Sequence, residues 1–302
     1  METAAGRARS AVSDEVTIEV ARPYGFCFGV RRAVEIAEEA ARTHGSVTTL
    51  GPIIHNPQEV ERLAAEGIRP VESAEGVPGS VVVIRSHGAT REEMEKLEGL
   101  GVRIIDATCP LVERVQEHAA RLSREGYEVL LLGEARHPEV KAILSRASGA
   151  VVVQSPGEVE GMELGERVGI VSQTTQSPDA LSRLVYEVAR KGVRELVVYN
   201  TICSATADRQ AAAGELAGRV DCMFVLGGKN SANARRLAEI CRGRNGRTFH
   251  VETHRELARE MYASAGRIGV AAGTSTPDWI VSEFVRELGR LCASRTPAKG
   301  AT

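Results

Sequence analysis

ATCPLVERVQEHAARL, residues 107–122, decides how the rest of the chain is read. A cysteine, Cys109, stands at the start of a helical pattern whose outer face is charged. Two other stretches have the same form, GFCFGVRRAVEIAEEA at 25–40 and TICSATADRQAAAGELA at 201–217, with Cys27 and Cys203 in the equivalent place. Counting 24 residues on from each cysteine reaches Gly51, Gly133 and Gly227. Each glycine ends an apolar run and opens a related turn: LGPIIHNPQEVERL, LGEARHPEVKAIL and LGGKNSANARRL. A third station follows in each case, as VVVIRSHGATREEM, VGIVSQTTQSPDAL and GVAAGTSTPDWIVSEF. There an apolar run leads through a hydroxyl-rich turn into another helix.

The cysteines are 82 and then 94 residues apart, so this is no solenoid of short repeats. The pattern predicts three α/β units of roughly 90 residues with mostly parallel sheets and polar turns at the carboxyl ends of the strands. The expected units are 16–108, 109–202 and 203–293, each containing one of the three cysteines. Residues 1–15 are small and polar and are expected to be a disordered extension, with 294–302 a frayed tail. Three equivalent units place equivalent turns around one centre, so the site is expected on a pseudo-threefold axis.

Composition narrows the function. The 302 residues include 38 basic and 40 acidic ones, a formal charge of −2, which argues against nucleic acid and polybasic membrane partners. No apolar stretch reaches the ~18–20 residues that span a bilayer, and no export signal is visible. The expected location is therefore cytoplasmic, where disulfides are disfavoured and cysteines serve metals or catalysis. Of the six cysteines, Cys222, Cys241 and Cys292 read as small buried hydrophobes in a strand or on helices. Cys27, Cys109 and Cys203 do not.

Three soft thiolates meeting at one centre suit an iron–sulfur cluster with one iron left free for substrate. Zinc is the rival, but its structural sites use four ligands and often C-x-x-C pairs, which are missing here. Around that centre the second-station turns contribute His55 and Asn56, His137 and Glu139, and Asn230, Ser231 and Asn233. The third-station turns add Ser86 and His87, Thr174 and Thr175, and Thr274 and Ser275. Histidines, hydroxyls, amides and helix N-termini together describe a phosphate site. A lone histidine in a turn is more often structural; three at matched stations are not easily explained that way. His44, His118, His250 and His254 lie outside the stations and are read as surface or core residues. Glu139 is the only carboxylate inside these turns that is singled out, and it is the candidate general acid. By itself, HPEV would also suit a glutamate favoured by a helix dipole.

The series GFCFGV, HNP, SHG, DATCPLV, HPEV, QTT, TICSAT with RQ following, GGKNSAN and GTSTPD resembles the 4-hydroxy-3-methylbut-2-enyl diphosphate reductases, the IspH/LytB family. The resemblance runs from about Val16 to Cys292. It implies a three-lobed α/β trefoil around one [4Fe-4S] cluster, with Cys27, Cys109 and Cys203 as ligands and one iron not held by protein. It implies that His55, His87, His137, Ser231, Asn233 and Ser275 bind the diphosphate, with Ala232 in the same turn. Thr174 and Glu139 would contact the substrate hydroxyl, Glu139 on the path of proton delivery. The implied reaction is reductive dehydroxylation to isopentenyl and dimethylallyl diphosphate, the last step of the methylerythritol phosphate pathway.

The electron donor must be a separate protein, a ferredoxin or flavodoxin, because no convincing nucleotide fingerprint is present. A monomer is expected. Two departures stand out. Ala232 replaces a serine found in many members, losing a hydroxyl whose bond to a charged group is typically worth ~1.5–3 kcal/mol. Backbone amides would offset part of that, so weaker substrate affinity is expected. Lys141 and Ala142 follow HPEV where a glycine is expected nearby. The rival readings are a cluster-bearing hydro-lyase, which would call for arginines in the turns, and an iron–sulfur redox or phosphate sensor without turnover.

Overall fold

The computed structural model describes residues 16–294, so the expected extension at 1–15 and the tail from 295 lie outside the described residues. The chain opens with strand β1 (Thr17–Val20) and helix α1 (Phe28–His44). There follow β2 (Val47–Leu50), α2 (Pro57–Ala65), β3 (Ile68–Val71), β4 (Val81–Ile84), α3 (Arg91–Gly99) and β5 (Arg103–Asp106). The order then repeats as α4 (Pro110–Arg124), β6 (Glu128–Leu132), α5 (Pro138–Leu144), β7 (Val151–Val153), β8 (Arg167–Ser172), α6 (Pro178–Arg190) and β9 (Glu195–Val198). The last run is α7 (Ser204–Ala217), β10 (Cys222–Leu226), α8 (Ala232–Arg242), β11 (Thr248–Val251), the single-turn α9 (Arg259–Tyr262), β12 (Arg267–Ala272) and α10 (Asp278–Ala293).

The strands form three four-stranded sheets, ordered β3-β2-β4-β5, β7-β6-β8-β9 and β1-β12-β10-β11, and every pairing is parallel. Their central strands are apolar runs such as VVVI in β4 and CMFVL in β10, buried throughout, as sheets covered on both faces require. Most of the helices cover those faces with one apolar stripe, while α7 also buries Thr206, Arg209 and Gln210. In α4 the buried residues are Val112, Val115, Gln116, Ala119 and Leu122, the three-and-four spacing of a half-buried helix. In the third unit Phe224 packs against Phe249 and Phe284 at centroid distances of 5.5 and 5.4 Å.

β1 departs from chain order. It pairs with β12 in register from Thr17 opposite Arg267 to Val20 opposite Val270. The strand counted with the first unit in the sequence therefore completes the third sheet. The reason is visible in the other two: β5 precedes Cys109 and β9 precedes Cys203, each as the last strand of its sheet. The strand before Cys27 fills the same role, and the cycle is broken only at the chain termini. Each cysteine thus lies where the chain leaves one sheet for the helix that begins the next.

Cys222, Cys241 and Cys292 are buried in β10, α8 and α10, as read from the sequence. Lys141 and Ala142 sit inside α5, with Ala142 fully buried. A continuing helix needs no glycine there.

Candidate functional site

Cys27, Cys109 and Cys203 are the N-cap residues of α1, α4 and α7, each in extended backbone conformation. Their amides donate to the third-station carbonyls: Cys27 N to Thr274 O at 3.1 Å, Cys109 N to Ser86 O at 3.0 Å, and Cys203 N to Thr174 O at 3.0 Å. The threefold repeat is therefore written into the backbone, with each turn hydrogen-bonded to the cysteine of the following helix. All three cysteines line one cavity of about 70 Å³, together with His87, Glu139 and Thr174. Burial pushes the Cys27 and Cys109 thiols up, while the helix-start amides of Val30 and Gly29, and of Leu111 and Val112, act in the opposite direction. Helix N-termini favour negative charge, so the frame offsets part of the cost that burial sets on anionic sulfur.

The donor set fits a metal cluster. Among the described residues, only His55, His87 and His137 bring ligating atoms within 4.8 Å of one another. The three sulfurs share one cavity, and soft thiolate donors suit an iron–sulfur cluster. Gly29 keeps that space open: a Cβ built there would lie 2.4 Å from Cys109 Sγ. Gly29→Ala is expected to displace Cys109 and lower iron retention several-fold, measured as iron and sulfide per chain after anaerobic reconstitution. Full retention would remove the close approach of α1 to Cys109 as a requirement.

Beside the cysteines lie the three predicted histidines. His55 comes from the β2–α2 turn, His87 from the β4–α3 turn, and His137 is the N-cap of α5. Their ring centroids are 4.2 Å (His55–His87), 5.2 Å (His55–His137) and 5.2 Å (His87–His137) apart. Burial lowers His55 to about 4 and His137 to about 3, and holds His87 well below the usual imidazole range. Neighbouring positive charge, including that of Arg85, pushes the same way. Both ring nitrogens of His55, Nδ1 of His87 and both side-chain polar atoms of Asn233 are buried without a hydrogen-bond partner. Orphaned polar atoms cost stability and are few in native proteins, so five on three residues of the repeated turns are the pattern of a ligand site.

Asn233 lies in the first turn of α8, and Ala232, 3% exposed, is the first residue of that helix. Ser231 is its N-cap, accepting from Ala234 N at 3.3 Å, which leaves its hydroxyl hydrogen available to an anion. Ser275 instead donates to His55 O at 3.1 Å and would have to turn to meet one. Asn230 is exposed, and Asn56 accepts from Glu59 N at 2.9 Å to cap α2. Of the serines in the third-station turns, Ser86 is engaged with Ile53 O at 3.0 Å.

Glu139, 1% exposed, enters the cysteine cavity from the first turn of α5. Thr174 N donates to its Oε1 at 2.6 Å, and Thr174 Oγ1 to its Oε2 at 2.9 Å. Burial raises its carboxyl to about 7, with the two bonds from Thr174 opposing the shift. A group poised at that value holds and releases a proton near neutrality. His118 stacks on Tyr199 at 3.9 Å and His250 meets Gly227 O at 2.9 Å, so these two serve the scaffold.

Two residues went unassigned in the sequence reading. Gln173 accepts from Glu134 N at 2.9 Å, and Arg209, in the RQ that follows TICSAT, is buried against the cysteine-bearing loops. Sequence spacing alone offers little signal for Gln173. Arg209 had one: a charged residue on the side of α7 that carries the helix core.

Fold and site together describe three α/β units of four parallel strands around one centre lined by three cysteines, with three histidines beside it. The chain belongs to the LytB protein family, whose model matches residues 18–289. It is 47% identical over 272 residues to the 4-hydroxy-3-methylbut-2-enyl diphosphate reductase of Geobacter sulfurreducens, covering 90% of this chain and 96% of that protein. Against the reductase of the same name from Aquifex aeolicus, identity is 46% over 282 residues, covering 92% and 97%. Among solved structures, an (E)-4-hydroxy-3-methyl-but-2-enyl diphosphate reductase, described as the terminal enzyme of the non-mevalonate pathway, matches with 45% identity and TM-score 0.63 over 91% of this chain and 99% of that one. The Plasmodium falciparum E-1-hydroxy-2-methyl-but-2-enyl-4-diphosphate reductase matches with 27% identity and TM-score 0.85, covering 90% and 87%.

Proposed function

We propose that the chain reduces 4-hydroxy-3-methylbut-2-enyl diphosphate to isopentenyl and dimethylallyl diphosphate, the last step of the methylerythritol phosphate pathway. One observation carries this reading: three cysteine-capped helix N-termini, a proton-holding carboxyl and His87 line one small centre, with the orphaned imidazole of His55 stacked on His87. Cys27, Cys109 and Cys203 would hold one [4Fe-4S] cluster with one iron not ligated by protein. When bound, that cluster supplies electrons one at a time and a Lewis-acidic position for the substrate hydroxyl.

The chain's own residues do the rest. His55, His87, His137, Ser231 and Asn233 take the diphosphate, the imidazoles picking up protons as the anion offsets the cost of their burial. The backbone amide of Ala232 stands at the same helix start, and Ser275 completes the ring after turning from His55 O. Thr174 orients the substrate hydroxyl, and Glu139 passes a proton to that oxygen so that it leaves as water. The balance is one alcohol, two electrons and two protons to one alkene product and one water.

A ferredoxin or flavodoxin supplies the electrons, and the chain works as a cytoplasmic monomer. No helix among the described residues is long and apolar enough to cross a membrane. A sensor without turnover is disfavoured, since the relatives are named as reductases. Anaerobic turnover of the hydroxylated diphosphate with dithionite, alongside an iron count, tests the proposal. Five-carbon diphosphate products with about four irons per chain support it; a bound cluster without products would leave the sensor.

A further inference from the structure

Arg209 lies six residues after Cys203 on α7, with only 5% of its surface exposed. Its Nη1 donates to Ala205 O and its Nη2 to Gly25 O, both at 2.9 Å. Ala205 is two residues after Cys203, and Gly25 is two residues before Cys27. One guanidinium therefore ties together the backbones that present two of the three sulfurs. Its Nε is buried with no partner.

Arginine stays protonated in proteins, and a buried cation must be matched by negative charge. Among the described residues, Arg209 forms no ion pair with a carboxylate. Asp208 and Asp278 are nearby but exposed. Negative charge on the Cys27 and Cys203 sulfurs, and on Asp208 and Asp278, opposes the cost of burying it. Gly25 has a φ of +82°, and a Cβ there would lie 2.3 Å from Asp278 Oδ1, so the loop that receives Nη2 needs glycine at that position.

We infer that Arg209 is the fixed counter-cation of the sulfur site, holding the Cys27 and Cys203 loops together and raising the reduction potential of the cluster they carry. This rests on the three-cysteine reading of the cofactor. The step concerned is transfer of one electron from dithionite to an oxidised [4Fe-4S]²⁺ cluster, giving [4Fe-4S]⁺ and oxidised dithionite. No bond in the protein forms or breaks. The cluster gains one negative charge, and a fixed positive charge in a buried setting favours that state.

The test is an electron paramagnetic resonance titration of the reconstituted full chain, comparing wild type with Arg209→Met and Arg209→Lys. Arg209→Met is expected to lower the reduced-to-oxidised ratio at a given ambient potential about tenfold, equivalent to about 59 mV for a one-electron couple. Arg209→Lys keeps the charge and is expected to stay within about threefold of wild type on the same scale. Arg209→Met with a full cluster and an unchanged potential would overturn the inference. Should Arg209→Met hold no cluster, Arg209→Lys decides: a wild-type potential supports a role for charge, and a tenfold loss overturns it. Wild type that takes up no cluster overturns the three-cysteine reading itself, and this inference with it.

Discussion

Replacing Glu139 with glutamine is expected to lower anaerobic turnover by about 10²–10⁴-fold, the range typical of a lost general acid. The amide nearly matches the carboxyl in shape and keeps an oxygen for Thr174 N, so the fold of the α5 turn survives. What it cannot do is release a proton to the departing oxygen. In wild type the carboxyl titrates near 7 because burial disfavours its charge. Turnover is therefore expected to fall as pH rises through about 7, and that limb is expected to vanish in Glu139→Gln.

Stability follows the same group. Its folded value lies above the ordinary 4.5, so its contribution is complete below 4.5 and is lost as pH rises through about 7. The loss is on the order of 3 kcal/mol for a shift of this size in a fully buried group. Glu139→Gln is expected to be insensitive to pH over that window, measured by denaturant unfolding at pH 5 and pH 8. Wild-type turnover in the variant would remove Glu139 as the proton donor.

Cys109→Ser is expected to leave no measurable turnover and to lose most of the bound iron. Each unit contributes one sulfur to the cavity, and no other cysteine among the described residues lines it. A hydroxyl oxygen is a harder donor than a thiolate and binds iron–sulfur clusters poorly. The informative control is Cys241→Ser. Cys241 is buried in α8, its sulfur 3.6 Å from Ala213 O and away from the cavity, and that variant is expected to keep its iron and its activity. A Cys109→Ser protein with a full cluster would take Cys109 out of the ligand set.

Much of this was legible in the chain because equivalent positions do equivalent local work. A cysteine that starts a helix, a glycine that ends a strand and a hydroxyl-rich turn repeat at matched distances, so the three sheets and the convergence of Cys27, Cys109 and Cys203 could be read before any coordinates. Glu139 and Thr174 were singled out as substrate contacts, and the structure joins them by two hydrogen bonds. What escaped depends on contacts that no local pattern records. β1 belongs to the third sheet because strand pairing there closes a cycle across the whole chain. Ser275 and Ser231 read alike in sequence, yet one hydroxyl faces a carbonyl and the other caps a helix. Arg209 gains its meaning from Gly25, 184 residues away.

That β1–β12 pairing also has a consequence for how the protein is made. Thr17 leaves the ribosome long before its partner Arg267 exists. At roughly 5–20 residues per second, the interval is on the order of tens of seconds. During it β1 has no partner strand, and once β12 emerges its apolar IGVAA edge is open until β1 pairs with it. Joining residues so far apart in sequence is slow, because the entropy of closing the loop must be met before the contact repays it. The first two sheets can mature during synthesis. Among the described residues, the third sheet becomes whole only when late-made β12 captures early-made β1, and until then the edge of β12 is open to pairing with other strands.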